Sequence, residues 1–168
     1  MPFFTTHKSL FMIIISALMT MSALTSAASE IGQKDIYSIT KITDGDSLRA
    51  GDVRIRIHGI DAPEMRQFCT KQESYPCGKQ ARTFLADMLG QQAEVVCHHL
   101  DTDRYGRFVM RCYHQGFDIG AAMVRSGWAL AYRRYAADYI ADEHDAKMNK
   151  RGMWAGSFET PEAWRRAN

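Results

Sequence analysis

The 168-residue sequence has no marked excess of charge: 21 Lys and Arg stand against 19 Asp and Glu, a formal net +2. That balance excludes a strongly basic polyanion-binding chain, though not a local basic site. No internal repeat or low-complexity tract occurs. Hydrophobic residues at 46% and charged residues at 24% are ordinary globular values, which exclude a disordered tail, a collagen-like fibre and a coiled coil. After Leu24 no apolar run is long enough to cross a bilayer. The four cysteines include no short Cys-x-x-Cys pair, so His98 and His99 beside Cys97 do not make a zinc site. From Asp101 onward, Asp103 and Gly106 fit a calcium-binding helix–loop–helix, but Tyr105 takes a ligand position and Cys112 replaces the required Glu. The length allows one domain, burying roughly 70% of its unfolded surface.

What is present begins with an export signal. Lys8 precedes an apolar run from Leu10 to Leu24, then Thr25-Ser26-Ala27-Ala28, the order of charge, apolar middle and small-residue cleavage site. A membrane anchor fits less well, because Ser16, Thr20 and Ser22 interrupt a run already short of a span. Residues 1–28 are therefore predicted to be a secretory signal peptide and 29–168 a single domain, periplasmic or extracellular, with no membrane attachment after cleavage. In an oxidising compartment the even set Cys69, Cys77, Cys97 and Cys112 suggests disulfides, with three possible pairings. A hairpin over Val95–Tyr113, symmetric about Arg104-Tyr105, sets Cys97 opposite Cys112. This favours Cys97–Cys112 with Cys69–Cys77.

The run Val53-Arg54-Ile55-Arg56-Ile57-His58 alternates as a strand. A turn at Gly51-Asp52 pairs Leu48 with Ile55 and brings Asp46 beside Ile57–Asp61. Ala81, Phe84, Leu85, Met88 and Leu89 recur at helical spacing before Gly90. Asp118 reads as the N-cap of a short helix ending at Gly127, and a weak stripe from Ala136 to Arg151 as a last helix. Strands, helix, strand pair, helix, helix make an α+β domain, consistent with a five-stranded barrel carrying about three helices.

Three clusters can carry chemistry. Asp44-Gly45-Asp46 offers two carboxylates suited to a hard cation, although alone it reads as an Asp-Gly turn. Arg56 through Gly59-Ile60-Asp61-Ala62-Pro63-Glu64 supplies a guanidinium and two carboxylates between strand and loop. Asp103-Arg104-Tyr105-Gly106-Arg107 is a hairpin tip with two arginines and an aromatic. Arg49, Arg54, Arg125, Arg133 and Arg134 add positive charge elsewhere.

In this order and spacing, with Arg151-Gly152-Met153-Trp154 closing the last helix, the clusters resemble the thermonuclease, or staphylococcal-nuclease-like, family. The resemblance spans about Ile36 to Trp154, with an extension over 155–168. It implies an OB-type five-stranded barrel and calcium-dependent, sugar-nonspecific hydrolysis of DNA or RNA to 3′-phosphates; nothing in the sequence implies a stable protein partner, and a monomer is the default expectation. Position by position, it implies Asp46, Asp61 and the Ala62 carbonyl as calcium ligands, with Asp44 in the outer shell. Glu64 corresponds to the residue that activates or orients water, and Arg56 and Arg107 to the phosphate-gripping pair. Arg104, Tyr105 and Tyr135 match positions beside the nucleotide, while Arg133 stands where a second aromatic is expected. A non-catalytic nucleic-acid- or protein-binding module of the same fold is the alternative, but such modules lose the acids and arginines retained here. The tail, with Arg165-Arg166, is expected to be a mobile extension that adds charge near substrate.

Overall fold

The computed structural model describes residues 34–168; the signal segment 1–28 lies outside them. In chain order the strands begin with β1 (Lys34–Ser38), β2 (Lys41–Asp44), β3 (Ser47–Ala50) and β4 (Val53–Ile57). Gly51, at φ +58°, makes the β3–β4 turn, a conformation cheap only for glycine. Leu48 pairs with Ile55 across it, both fully buried, while Arg49 pairs with Arg54 on the outer face. A short strand, β5 (Ile60–Asp61), follows Gly59, and the hairpin β6 (Cys69–Thr70) and β7 (Ser74–Tyr75) leads into α1 (Cys77–Leu89). The Cys69–Cys77 disulfide closes this loop.

Two long strands, β8 (Glu94–Thr102) and β9 (Phe108–His114), form the central hairpin. Cys97 lies opposite Cys112 and is bonded to it. The hairpin is not symmetric throughout: Thr102 pairs with Phe108 at the tip, and a bulge at Leu100 restores the register by Cys97. β10 (Phe117–Asp118) pairs with β9 and runs into α2 (Ile119–Arg125), where the Asp118 carboxylate accepts the Ala121 amide at 3.0 Å as N-cap.

β11 (Leu130–Ala131) pairs with β5, setting Leu130 opposite Asp61. The buried Glu143 fixes that pair by accepting the Ala131 amide at 3.0 Å. It lies on α3 (Ile140–Met148), which is shorter than the predicted helix from Ala136 to Arg151. The Tyr139 ring fills the space beside Gly59 and Gly120, where a Cβ would meet it at 3.0 and 2.9 Å, and its hydroxyl donates to Asp118. Anchoring that ring holds 136–139 out of the helix. A single 3₁₀ turn, Gly152–Ala155, precedes α4 (Pro161–Ala167). Four α-helices are therefore present among the described residues, against about three expected. The tail is a docked helix, not a mobile extension: Ser157 exchanges backbone hydrogen bonds with Thr70 at 2.8 and 2.9 Å, and Thr160 caps the helix. Among the described residues no helix is long and apolar enough to cross a membrane.

The main sheet has the order β1-β8-β9-β4-β3-β2, with β4 and β9 parallel and the other pairs antiparallel. Its two end strands are consecutive in the chain. Between them Ile39 donates to Ala93 and Thr40 to Arg49, so the backbone leaves one end of the order and enters the other without a gap in hydrogen bonding. The core behind the sheet contains Leu48, Ile55, Ile57, Leu85, Val95, Met110 and Met123, all essentially inaccessible.

Candidate functional site

The β3–β4 register delivers the first contacts. Ser47 stands opposite Arg56, and the Ile57 amide donates to the Asp46 carbonyl at 2.9 Å. Asp46 and Asp61 are buried, and the Arg56 guanidinium lies between them. Its Nη1 pairs with Asp46, while Nη2 lies 3.3 Å from Asp61 Oδ1 and donates to the Ile60 carbonyl at 2.9 Å. Asp46 Oδ2 also accepts the Ala62 amide at 2.8 Å, and its Oδ1 accepts the Ser47 hydroxyl at 3.0 Å. An added Cβ at Gly45 would lie 2.7 Å from the Ala62 Cβ, so the Asp44–Asp46 turn can close on Ala62 only with glycine there.

The hairpin tip brings the second guanidinium. Asp103 accepts the Arg107 and Tyr105 amides at 2.9 Å and the Arg107 Nε at 2.7 Å, and Arg107 Nη1 reaches the Ser47 hydroxyl at 3.4 Å. Ser47 thus joins the two arginine regions: it faces Arg56 across the strands and touches both Asp46 and Arg107. Arg104 donates to the Tyr105 hydroxyl at 2.6 Å and lies over its exposed ring. Tyr135 is exposed and packs edge-on against Tyr132 with ring centroids 4.8 Å apart. Tyr132, not Tyr135, lines a cleft of about 200 Å³ that also includes Asp61, Arg133, Arg134 and Thr160. Arg125 and Arg133 are tied to Asp142 and Glu143.

Two further residues reach the site: Gln67 is not singled out in the sequence, and Arg165 is expected there only as charge on a mobile tail, not as a partner of Asp61 and Glu64. Gln67, fully buried, accepts the Glu64 amide at 3.2 Å and donates to the Glu159 carbonyl at 2.6 Å. Arg165 of α4 forks onto Asp61 at 2.9 and 3.0 Å and reaches Glu64 Oε1 at 2.8 Å. Asp61 and Arg165 are 104 positions apart, a separation that local pattern does not reveal.

Packing these acids together perturbs them. Burial, then the neighbouring Asp46, pushes Asp44 up to about 7. Burial also raises Asp46, but Arg56 and the Ala62 amide outweigh it and hold the carboxyl below its ordinary value. Asp61 is raised, burial outweighing Arg165 and Arg56. Among the described residues no three His, Cys, Asp or Glu side chains are gathered closely enough to hold a metal as they stand. Guanidiniums separate them, Arg56 between Asp46 and Asp61, and Arg165 between Asp61 and Glu64. The donors are nevertheless all oxygens, already arranged around cationic groups, and they fit a hard divalent ion.

The raised Asp44 gives a pH dependence. The folded chain keeps that proton up to about pH 7, whereas an ordinary carboxyl loses it near pH 4, so stability falls as pH rises between the two. Asp44→Asn keeps the oxygen that accepts the Asp46 amide and removes the titration. In metal-free buffer at pH 8 it should be more stable than wild type by up to about 4 kcal/mol, and at pH 4 nearly equal to it. Urea unfolding at both pH values measures this, and equal stability at pH 8 would show Asp44 to be unperturbed.

The staphylococcal nuclease homologue family model matches residues 54–156. A Haemophilus influenzae protein described as an uncharacterized endonuclease is 30% identical over 162 residues, covering 92% of this chain and 85% of its own. An Escherichia coli protein with the same description is 30% identical, covering 76% and 82%. A probable staphylococcal-like nuclease of Oryza sativa subsp. japonica is 34% identical across 86% of this chain but only 36% of its own, so the chain spans about a third of that relative. The chain belongs to the staphylococcal-nuclease-like family.

Proposed function

We propose that this protein is an exported, calcium-dependent nuclease that hydrolyses DNA or RNA phosphodiesters, on a closed five-stranded barrel of OB type. The observation that carries the reading is the linkage of Asp46, Arg56, Asp61 and Arg107 in one cluster, Ser47 joining Asp46 to Arg107 and Arg56 joining Asp46 to Asp61. The barrel is supported by β1 and β2, which follow one another directly in the chain at opposite ends of the six-strand order; counted as one bent strand, they would close a five-stranded ring with β3, β4, β9 and β8. The relatives described as endonucleases support the activity, and the two disulfides agree with an oxidising compartment.

Asp46, Asp61 and the Ala62 carbonyl would hold calcium with Asp44 behind them, and the bound ion supplies positive charge that offsets charge developing on the phosphate oxygens. Arg107, positioned by Asp103, presents a planar pair of donors that matches a phosphate edge. Arg56 provides a second, more deeply set positive charge. Glu64, on the loop held by Gln67, takes the proton of the attacking water or fixes its direction. Tyr132, Arg133 and Arg134 line the neighbouring cleft, where a base or sugar can lie.

Incubating the chain from residue 29 with single-stranded DNA and calcium, with and without chelator, tests the reading, with Glu64→Gln as control for contaminating nuclease. Cleavage that is lost on chelation and in Glu64→Gln is expected. Tight binding with no cleavage would instead identify a non-catalytic module.

A further inference from the structure

Arg165 makes two hydrogen bonds to Asp61 and one to Glu64, and it comes from the segment beyond the matched family region. The approach to it is firmly built. Ser157 and Thr70 exchange backbone hydrogen bonds, Gln67 holds the Glu159 carbonyl, and Gly156 lies so close to Thr70 that a Cβ would stand 2.0 Å from its carbonyl oxygen. The helix itself is lightly held: only Pro161 is buried, at its first position. Arg165 is therefore delivered accurately to Asp61 and Glu64 by a terminal turn that can lift without disturbing the core.

We propose that Arg165 is a built-in counter-cation that competes with the divalent ion for Asp61 while also holding Glu64, so that metal binding and release of the last turn of α4 are coupled. The proposal rests on the calcium reading above. Both terminal nitrogens of the guanidinium, Nη1 and Nη2, use the Asp61 carboxylate, one oxygen each, and a cation ligated there would meet a like charge at hydrogen-bond distance. The two cations cannot share those oxygens, so the apparent calcium affinity is the intrinsic affinity multiplied by the fraction of molecules in which Arg165 has already left. Arg56 cannot act this way, because it is buried within the sheet and bonded to the Ile60 carbonyl. Arg166, one position on, turns instead to Glu162 on its own helix, at 3.5 Å. It serves as the matched control.

Calorimetric titration of calcium into the chain from residue 29, its Arg165→Gln, Arg165→Lys and Arg166→Gln variants, joined to hydrogen exchange of the α4 amides, tests this. Arg165→Gln should bind calcium about ten-fold more tightly than wild type, as expected if Arg165 is bound in about nine molecules of ten. Arg165→Lys, which loses the fork but keeps the charge, should fall between, and Arg166→Gln should match wild type. In wild type, calcium should speed exchange in α4 and leave α1 unchanged. Calcium binding of equal or lower affinity in Arg165→Gln would overturn the competition while leaving the metal reading standing. Absence of binding in every variant would overturn both.

Discussion

Arg107→Ala is expected to lower turnover by about 10²–10³-fold while changing KM little, because a donor aimed at developing charge acts mainly in the transition state. Stability should change by less than about 1 kcal/mol: the side chain is partly exposed and its ion pair with Asp103 is one that water screens. Asp103 keeps the amides of Tyr105 and Arg107 when the guanidinium is removed, so the hairpin tip should hold its shape. Steady-state kinetics on a defined oligonucleotide, beside urea unfolding, separate the two effects. Wild-type turnover would remove Arg107 from the chemistry.

Arg56→Met should behave differently. Its guanidinium is the main charge compensating buried Asp46 and one of two on Asp61. Truncation leaves buried carboxylates unpaired, at a cost of about 3–5 kcal/mol. Metal-free Arg56→Met should therefore unfold at markedly lower urea, and calcium should restore more stability to it than to wild type, since a cation can then take the vacated charge position. A loss below about 1 kcal/mol would show that Arg56 does not hold these acids together. The contrast assigns different weights to the two arginines: Arg107 acts on substrate, and Arg56 also maintains the site.

Much of this was legible where the determinants are local. Period-two alternation and the Gly51 turn specify which residues of β3 and β4 face each other, and that register carries Asp46 to Asp61. The hairpin likewise sets Cys97 against Cys112, although the bulge at Leu100, which spares that pair, is invisible in the pattern. Helix α1 ends at Gly90 and α2 begins after Asp118, as their stop and cap residues predict. What was not legible depends on contacts distant in sequence. The late start of α3 follows from Tyr139 seating between Gly59 and Gly120. Arg165 lies in a stretch with no apolar stripe of its own, and its destination is set by Gln67 and Thr70, roughly ninety positions upstream. Tyr132, which lines the cleft with Asp61 and packs against Tyr135, is likewise not singled out in the sequence, because its place depends on the β11–β5 pairing.

The most direct measurement is a crystal structure of the Glu64→Gln protein soaked with calcium and a short single-stranded oligonucleotide. The account predicts anomalous density for one calcium ion contacted by Asp46 and Asp61, with a phosphate beside it held by Arg107. A calcium ion bound elsewhere, or an oligonucleotide lying on the opposite face of the sheet, would contradict it.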